Sequence, residues 1–203
     1  MTRVLRAAGY GVVALLTAAA CNSAPTGTQP TAGAPLPATS VDSAHNAADI
    51  AFAQQMIPHH RQAITMAGLV PARTANAKVR DLASQITTDQ DREISTLNSW
   101  LQAWHAPPAK NDPGGGSAMG GMDRAATVGM MSNQQMSQLV KSNGPTFDRL
   151  FLQLMIAHHQ GAVQMATTEL SAGRNPDAMQ LATSIQRNQT AQIANMRKLL
   201  AAS

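Results

Sequence analysis

Four of the six histidines fall in two matching pairs, Met56-Ile57-Pro58-His59-His60 and Met155-Ile156-Ala157-His158-His159. A methionine stands three residues before each pair, and Met66 and Met165 stand six residues after. Imidazole nitrogen suits copper, and thioether sulfur selects Cu(I) over hard cations such as Mg²⁺. On a helix, residues three, four and seven apart share a face, so Met56 lies beside His59 and His60, and Met66 beyond them. The spacing marks Met56, His59, His60 and Met66 as soft-metal donors in one half, and Met155, His158, His159 and Met165 in the other. Cu(I) is the favoured ion, and Ag(I) shares its chemistry. Met119, Met122, Met130 and Met131 are accessory donors. A helical stripe of methionines also serves a core, because Met fills irregular gaps. Metal binding and core packing therefore both remain open.

The elements that carry these residues are helical. Asp49, Phe52, Met56, His59, Ala63, Met66 and Val70 recur at alternating spacings of three and four, the stripe of an amphipathic helix. Leu82, Ile86, Gln90, Ile94, Leu97 and Leu101 form a second stripe. Both recur 99 residues later, from Asp148 to Leu200. One constant offset across two helices and their turn marks an internal repeat. The spacing predicts helical hairpins over residues 45–104 and 146–203, joined by a Gly/Pro/Met-rich linker over 105–145 with a short helix at 132–141. Two such hairpins bury their stripes against each other as an all-α four-helix bundle. One histidine of each pair is expected in the stripe and the other on its flank. Gly68 and Pro71 mark the end of the first helix, and Pro58 predicts a bend before His59. Asp49 and Asp148 suit helix starts. Gln90, Glu93 and Gln189 are candidate acceptors for the imidazole N–H groups. The counterpart of Glu93 is Gln192, which breaks the symmetry.

The N-terminus reads as an export signal over residues 1–20, with Arg3 and Arg6 before an apolar run of 14 residues, too short to span a bilayer comfortably. Small residues precede Cys21, the only cysteine, as at a bacterial lipoprotein cleavage site. Lipidation at Cys21 would anchor the chain to the outer face of the cell membrane; an ordinary secretory signal exports it too. Residues 21–44, rich in Pro, Thr and Ala, read as a disordered tether. A single thiol excludes an internal disulfide framework and a multi-thiolate site. Without Arg3 and Arg6, thirteen basic residues face eleven acidic ones, a net +2 with no basic cluster, which argues against nucleic acid as a partner.

The double motif Phe-x-x-x-Met-Ile-x-His-His-x-x-Ala-x-x-Met-Ala spans 52–67 and 151–166. With Gln90, Glu93 and Ile94 in one half and Gln189 and Ile193 in the other, it resembles the family called domain of unknown function 305. The resemblance covers residues 45–203 and departs at Gln192, where the pattern has Glu. It implies a ferritin-like bundle in an exported bacterial protein, and an association with copper binding and tolerance. A non-enzymatic copper-binding protein for sequestration, tolerance or transfer is thus the leading expectation. A structural or partner-binding bundle with core histidines is the alternative. A di-iron oxidase fits worst: such bundles use Glu-x-x-His motifs, and only Glu93 and Glu169 are glutamates.

Overall fold

The computed structural model describes residues 44–110 and 128–202. The signal, the tether, Cys21, Met119 and Met122 lie outside them. Five helices carry the described chain: α1 (Ala47–Arg73), α2 (Ala77–Ala103), α3 (Asn133–Lys141), α4 (Gly144–Ala172) and α5 (Pro176–Ala201). No strand occurs among the described residues. α1 pairs with α2 and α4 with α5, and α1 and α4 face each other between the two hairpins. This is the expected all-helical bundle of two repeated hairpins, with α3 in the linker.

Local chemistry sets the boundaries. The Asn46 side chain accepts from the Ala48 and Asp49 N–H groups, while the Asp49 carboxylate accepts from the Asn46 N–H, closing a capping box. Ser132 and Gln135 do the same for α3. α5 opens on Pro176 behind the Asn175 cap, a position where a missing N–H costs nothing. Two expectations need correction. α1 does not end at Gly68 but continues through Pro58 and Pro71 to Arg73. Its buried residues extend to Val70, and tertiary packing of that face outweighs the local cost of the prolines. Asp148 is not at a helix start either: α4 begins at Gly144, so Asp148 lies inside it, buried.

The core divides into two apolar clusters. One takes residues 63–70 of α1, 79–86 of α2, 147–155 of α4, and Ile193 and Met196 of α5. The other takes residues 52–57, 94–101, 162–166 and 178–185 of the same helices. The buried polar residues between these segments are His59, His60 and Gln62, Gln90, His158 and His159, and Gln189. A polar layer therefore crosses the bundle at mid-height, with hydrocarbon on both sides.

Candidate metal centre

The repeat brings the inner histidines together. The rings of His59 and His158 lie 3.7 Å apart between centroids, tilted by 37°. His60 and His159 stand outside them, at 6.3 Å and 6.4 Å from their own neighbours. One histidine of each pair is thus inner and the other flanks it, as the stripe suggests, but all four are fully buried.

Each outer imidazole is held from behind. The His60 Nε2–H donates to the Glu93 carboxylate at 2.6 Å, and the His159 Nε2–H to the Gln192 carbonyl at 2.7 Å. The Gln192 amide N–H in turn reaches Asp89 at 3.4 Å. A proton on Nε2 leaves Nδ1 as a lone pair in the neutral ring. Nδ1 of His60 and His159, and both nitrogens of His59 and His158, have no hydrogen-bond partner.

Burial keeps three of these rings, His59, His158 and His159, neutral. Desolvation pushes His59 and His158 well below the usual imidazole range, and the neighbouring imidazoles push the same way. Desolvation also lowers His159, to about 4, against the opposing effect of the hydrogen bond it donates to Gln192. A metal needs the unprotonated ring, so these three present their donors without first expelling protons.

The thioethers regroup across the repeat. Met56 and Met165 share one apolar cluster, and Met66 and Met155 the other. Sulfur from both hairpins thus lies on each side of the imidazole layer. No three His, Cys, Asp or Glu side chains converge to hold a metal among the described residues. The thioethers of these clusters are the soft side chains on either side of the layer. Of the accessory methionines, Met131 is buried in the cluster of Met66 and Met155, whereas Met130 is only half-buried outside it.

Two expected acceptors do otherwise. Gln90 and Gln189 are buried, yet none of their amide atoms has a hydrogen-bond partner. Glu93, one turn away, takes its expected role, and Gln192 takes the equivalent role that the sequence reading left unassigned. The 99-residue offset that pairs Gln192 with Glu93 was the signal for it.

Four further residues, Gln62, Gly129, Gly161 and Glu169, carry no signal in the stripes. The Gln62 amide donates to the Met131 carbonyl at 2.9 Å and accepts the Met131 N–H at 2.6 Å. Gly161, its repeat counterpart, receives the same chain segment: a β-carbon there would collide with the Val128 carbonyl. Gly129 crosses Gly161 with φ +86°, backbone that glycine adopts freely. Glu169 and Asp49 form a buried carboxyl pair at the start of α1. Asp49 accepts from the Asn46, Arg174 and Asn175 backbone N–H groups. Burial would raise Asp49, but a hydrogen bond from Glu169 and these backbone bonds outweigh it and lower its pKa. Burial first, and the Asp49 carboxylate second, push Glu169 up to about 8.

The chain matches the family described as Domain of unknown function (DUF305) over residues 49–200. A DUF305 protein of Streptomyces coelicolor is 30% identical, with a TM-score of 0.68, over 76% of this chain and 93% of that one. CopM, solved in Cu(II)-bound form, is 32% identical with a TM-score of 0.62, over 76% of this chain and 96% of its own. CopM has also been solved in Cu(I)-bound and Ag-bound forms. Protein L153 of Acanthamoeba polyphaga mimivirus is 40% identical over 53 residues, 26% of this chain, and the chain spans only 35% of that relative. The match over residues 49–200 and the shared bundle place one statement beyond expectation: the chain belongs to the DUF305 family.

Proposed function

We propose that this protein binds a soft metal ion, Cu(I) or Ag(I), at one centre shared by the two hairpins, for sequestration, tolerance or transfer rather than catalysis. His59 and His158 are its inner ligands, His60 and His159 its outer ones. Met56 with Met165, and Met66 with Met155, supply sulfur from either side. The observation that carries the reading is the 3.7 Å approach of two buried imidazoles whose nitrogens make no hydrogen bond. An unpaired buried polar atom costs about 1–3 kcal/mol, and a metal ion would use these lone pairs. CopM in copper- and silver-bound forms supports the same chemistry. The chain acts outside the cytoplasm, tethered through a lipid on Cys21, with the metal ion as its partner.

Titrating Cu(I) against a competing chromophoric chelator tests this. Replacing His59 and His158 by Ala should lower affinity at least about 100-fold. Unchanged affinity after His59, His60, His158 and His159 are all replaced would overturn the reading. The bonds His60–Glu93 and His159–Gln192 favour a second reading, a structural bundle with satisfied core histidines. That reading requires no rise in melting temperature with Ag(I), whereas a ligand of the folded state must raise it.

A further inference from the structure

All four histidines are fully buried, so an ion needs a way in. Two clefts border this region among the described residues. One, beside Glu93, is walled by Asp89 and Arg92, with a cationic side chain and no thioether. The other has a volume of about 170 Å³ and lies between α1 and α4, with Phe52, Gln55, Gln164, Met165 and Glu169 among its walls. Met165 joins it to the apolar cluster that holds Met56. Its remaining wall is Val128.

Val128 belongs to a strap, residues 128–131, that is fastened at both ends. Gln62 grips Met131 by two buried hydrogen bonds. Gly129 and the Val128 carbonyl fill the notch left by Gly161. Gly129 also lies against the Ala157 carbonyl, next to His158. Yet the Val128 side chain is 45% exposed, one of only two large hydrophobic side chains so exposed among the described residues. The strap thus separates cleft from imidazole with a single layer of chain. Little apolar contact opposes its lifting beyond the Gln62 grip and the insertion of Met131.

Building on the soft-metal reading, we propose that this cleft is the port to the centre and that residues 128–131 are its gate, with Gln62 and Gly161 as the positioning residues that hold it shut. Met165 then receives the ion at the cleft floor and passes it to His59 and His158. A neutral thioether beside a cleft with no free basic group suits a soft cation.

Two variants loosen the gate by different means. Gln62→Ala removes both hydrogen bonds. Gly161→Ala drives Val128 out of its notch while raising helix propensity in α4, so loss of helix is not expected. The first measurement needs no metal: modification of the apo full-length chain by diethyl pyrocarbonate, read histidine by histidine by mass spectrometry, with exposed His105 as the internal standard. Two lost hydrogen bonds should raise the modification rate of His59 and His158 about 30-fold. The second measurement is the rate of Cu(I) capture from its bathocuproine disulfonate complex, which should rise in parallel. If both variants keep wild-type helicity and Cu(I) capture, yet modify no faster than wild type, the gate is refuted and the metal centre stands. If modification quickens but no form, wild type included, takes up Cu(I), the metal reading falls and the port with it.

Discussion

Glu169 offers a test of the packing at the start of α1 that needs no metal. Its carboxyl is 1% exposed and faces Asp49, whose own oxygens are occupied by three backbone N–H groups. Burial first, and the Asp49 carboxylate second, make Glu169 hold its proton, with a pKa pushed up to about 8. A group whose folded pKa exceeds its unfolded value of 4.5 gives its full stabilisation below 4.5. That stabilisation drains away as pH rises to about 8, and the loss then levels off. Asp49 works in the opposite sense, because its folded pKa is lowered from 3.8. Its stabilisation is present above 3.8 and lost only in acid, so the two windows do not overlap. The gap from 4.5 to about 8 corresponds to at most ~5 kcal/mol at 1.36 kcal/mol per pH unit. Water in the adjoining cleft screens Glu169, and about 2 kcal/mol is the working figure. Glu169→Gln keeps an N–H donor for Asp49 and cannot ionise. At pH 9 the variant should therefore melt about 4–8 °C above wild type, and the two should converge near pH 5. Melting curves by circular dichroism across pH 5–9 decide it. Parallel profiles for wild type and variant would refute the raised pKa of Glu169.

The two outer histidines differ only in what stands behind them. Glu93→Gln should give His60 the amide acceptor that His159 has and weaken Cu(I) binding about 10-fold, the lower end of the cost of losing such support; Gln192→Glu should strengthen it. Competition with a chromophoric chelator reads both. In the apo protein, His158→Leu replaces two unpaired buried nitrogens with hydrocarbon of similar bulk. It should raise the apo melting temperature by a few degrees, by relieving about 1–3 kcal/mol, while abolishing the stabilisation by Ag(I). A fall in apo stability would mean that the imidazole makes contacts the fold needs.

The hairpins were legible because their evidence is local. Stripes at alternating spacings of three and four, repeated at one offset of 99, fix helix, face and repeat together. The starts were not read: the caps at Asn46, Asn76 and Asn175 came only from the structure. What else escaped depends on rotation and crossing, which sequence does not carry. Gln90 and Glu93 lie one turn apart on the same face of α2. Only the final rotation of α2 against α1 selects Glu93 as the partner of His60. Likewise, grouping Met56 with Met66 follows one helix, whereas the actual groups, Met56 with Met165 and Met66 with Met155, follow the antiparallel crossing of α1 and α4. The strap has no periodicity to read. Its one signal was the pairing of a buried glutamine, Gln62, with a glycine, Gly161, at equivalent positions of the repeat.

The repeat also explains why the centre sits where it does. A single hairpin owns one inner imidazole and cannot bring a second against it. The contact of His59 with His158 exists only where α1 crosses α4. Symmetric positions build the centre: the four histidines and the four flanking methionines. Asymmetric positions surround it: Glu93 against Gln192, Gln62 against Gly161, Val70 against Glu169. Each pair begins from one hairpin pattern and ends in a different contact, behind an imidazole, under the strap, or beside Asp49. A duplicated hairpin supplies matched donors at its crossing. The departures from duplication are then the positions free to set affinity, access and pH response, and each of the substitutions above acts on one of these or on the crossing itself.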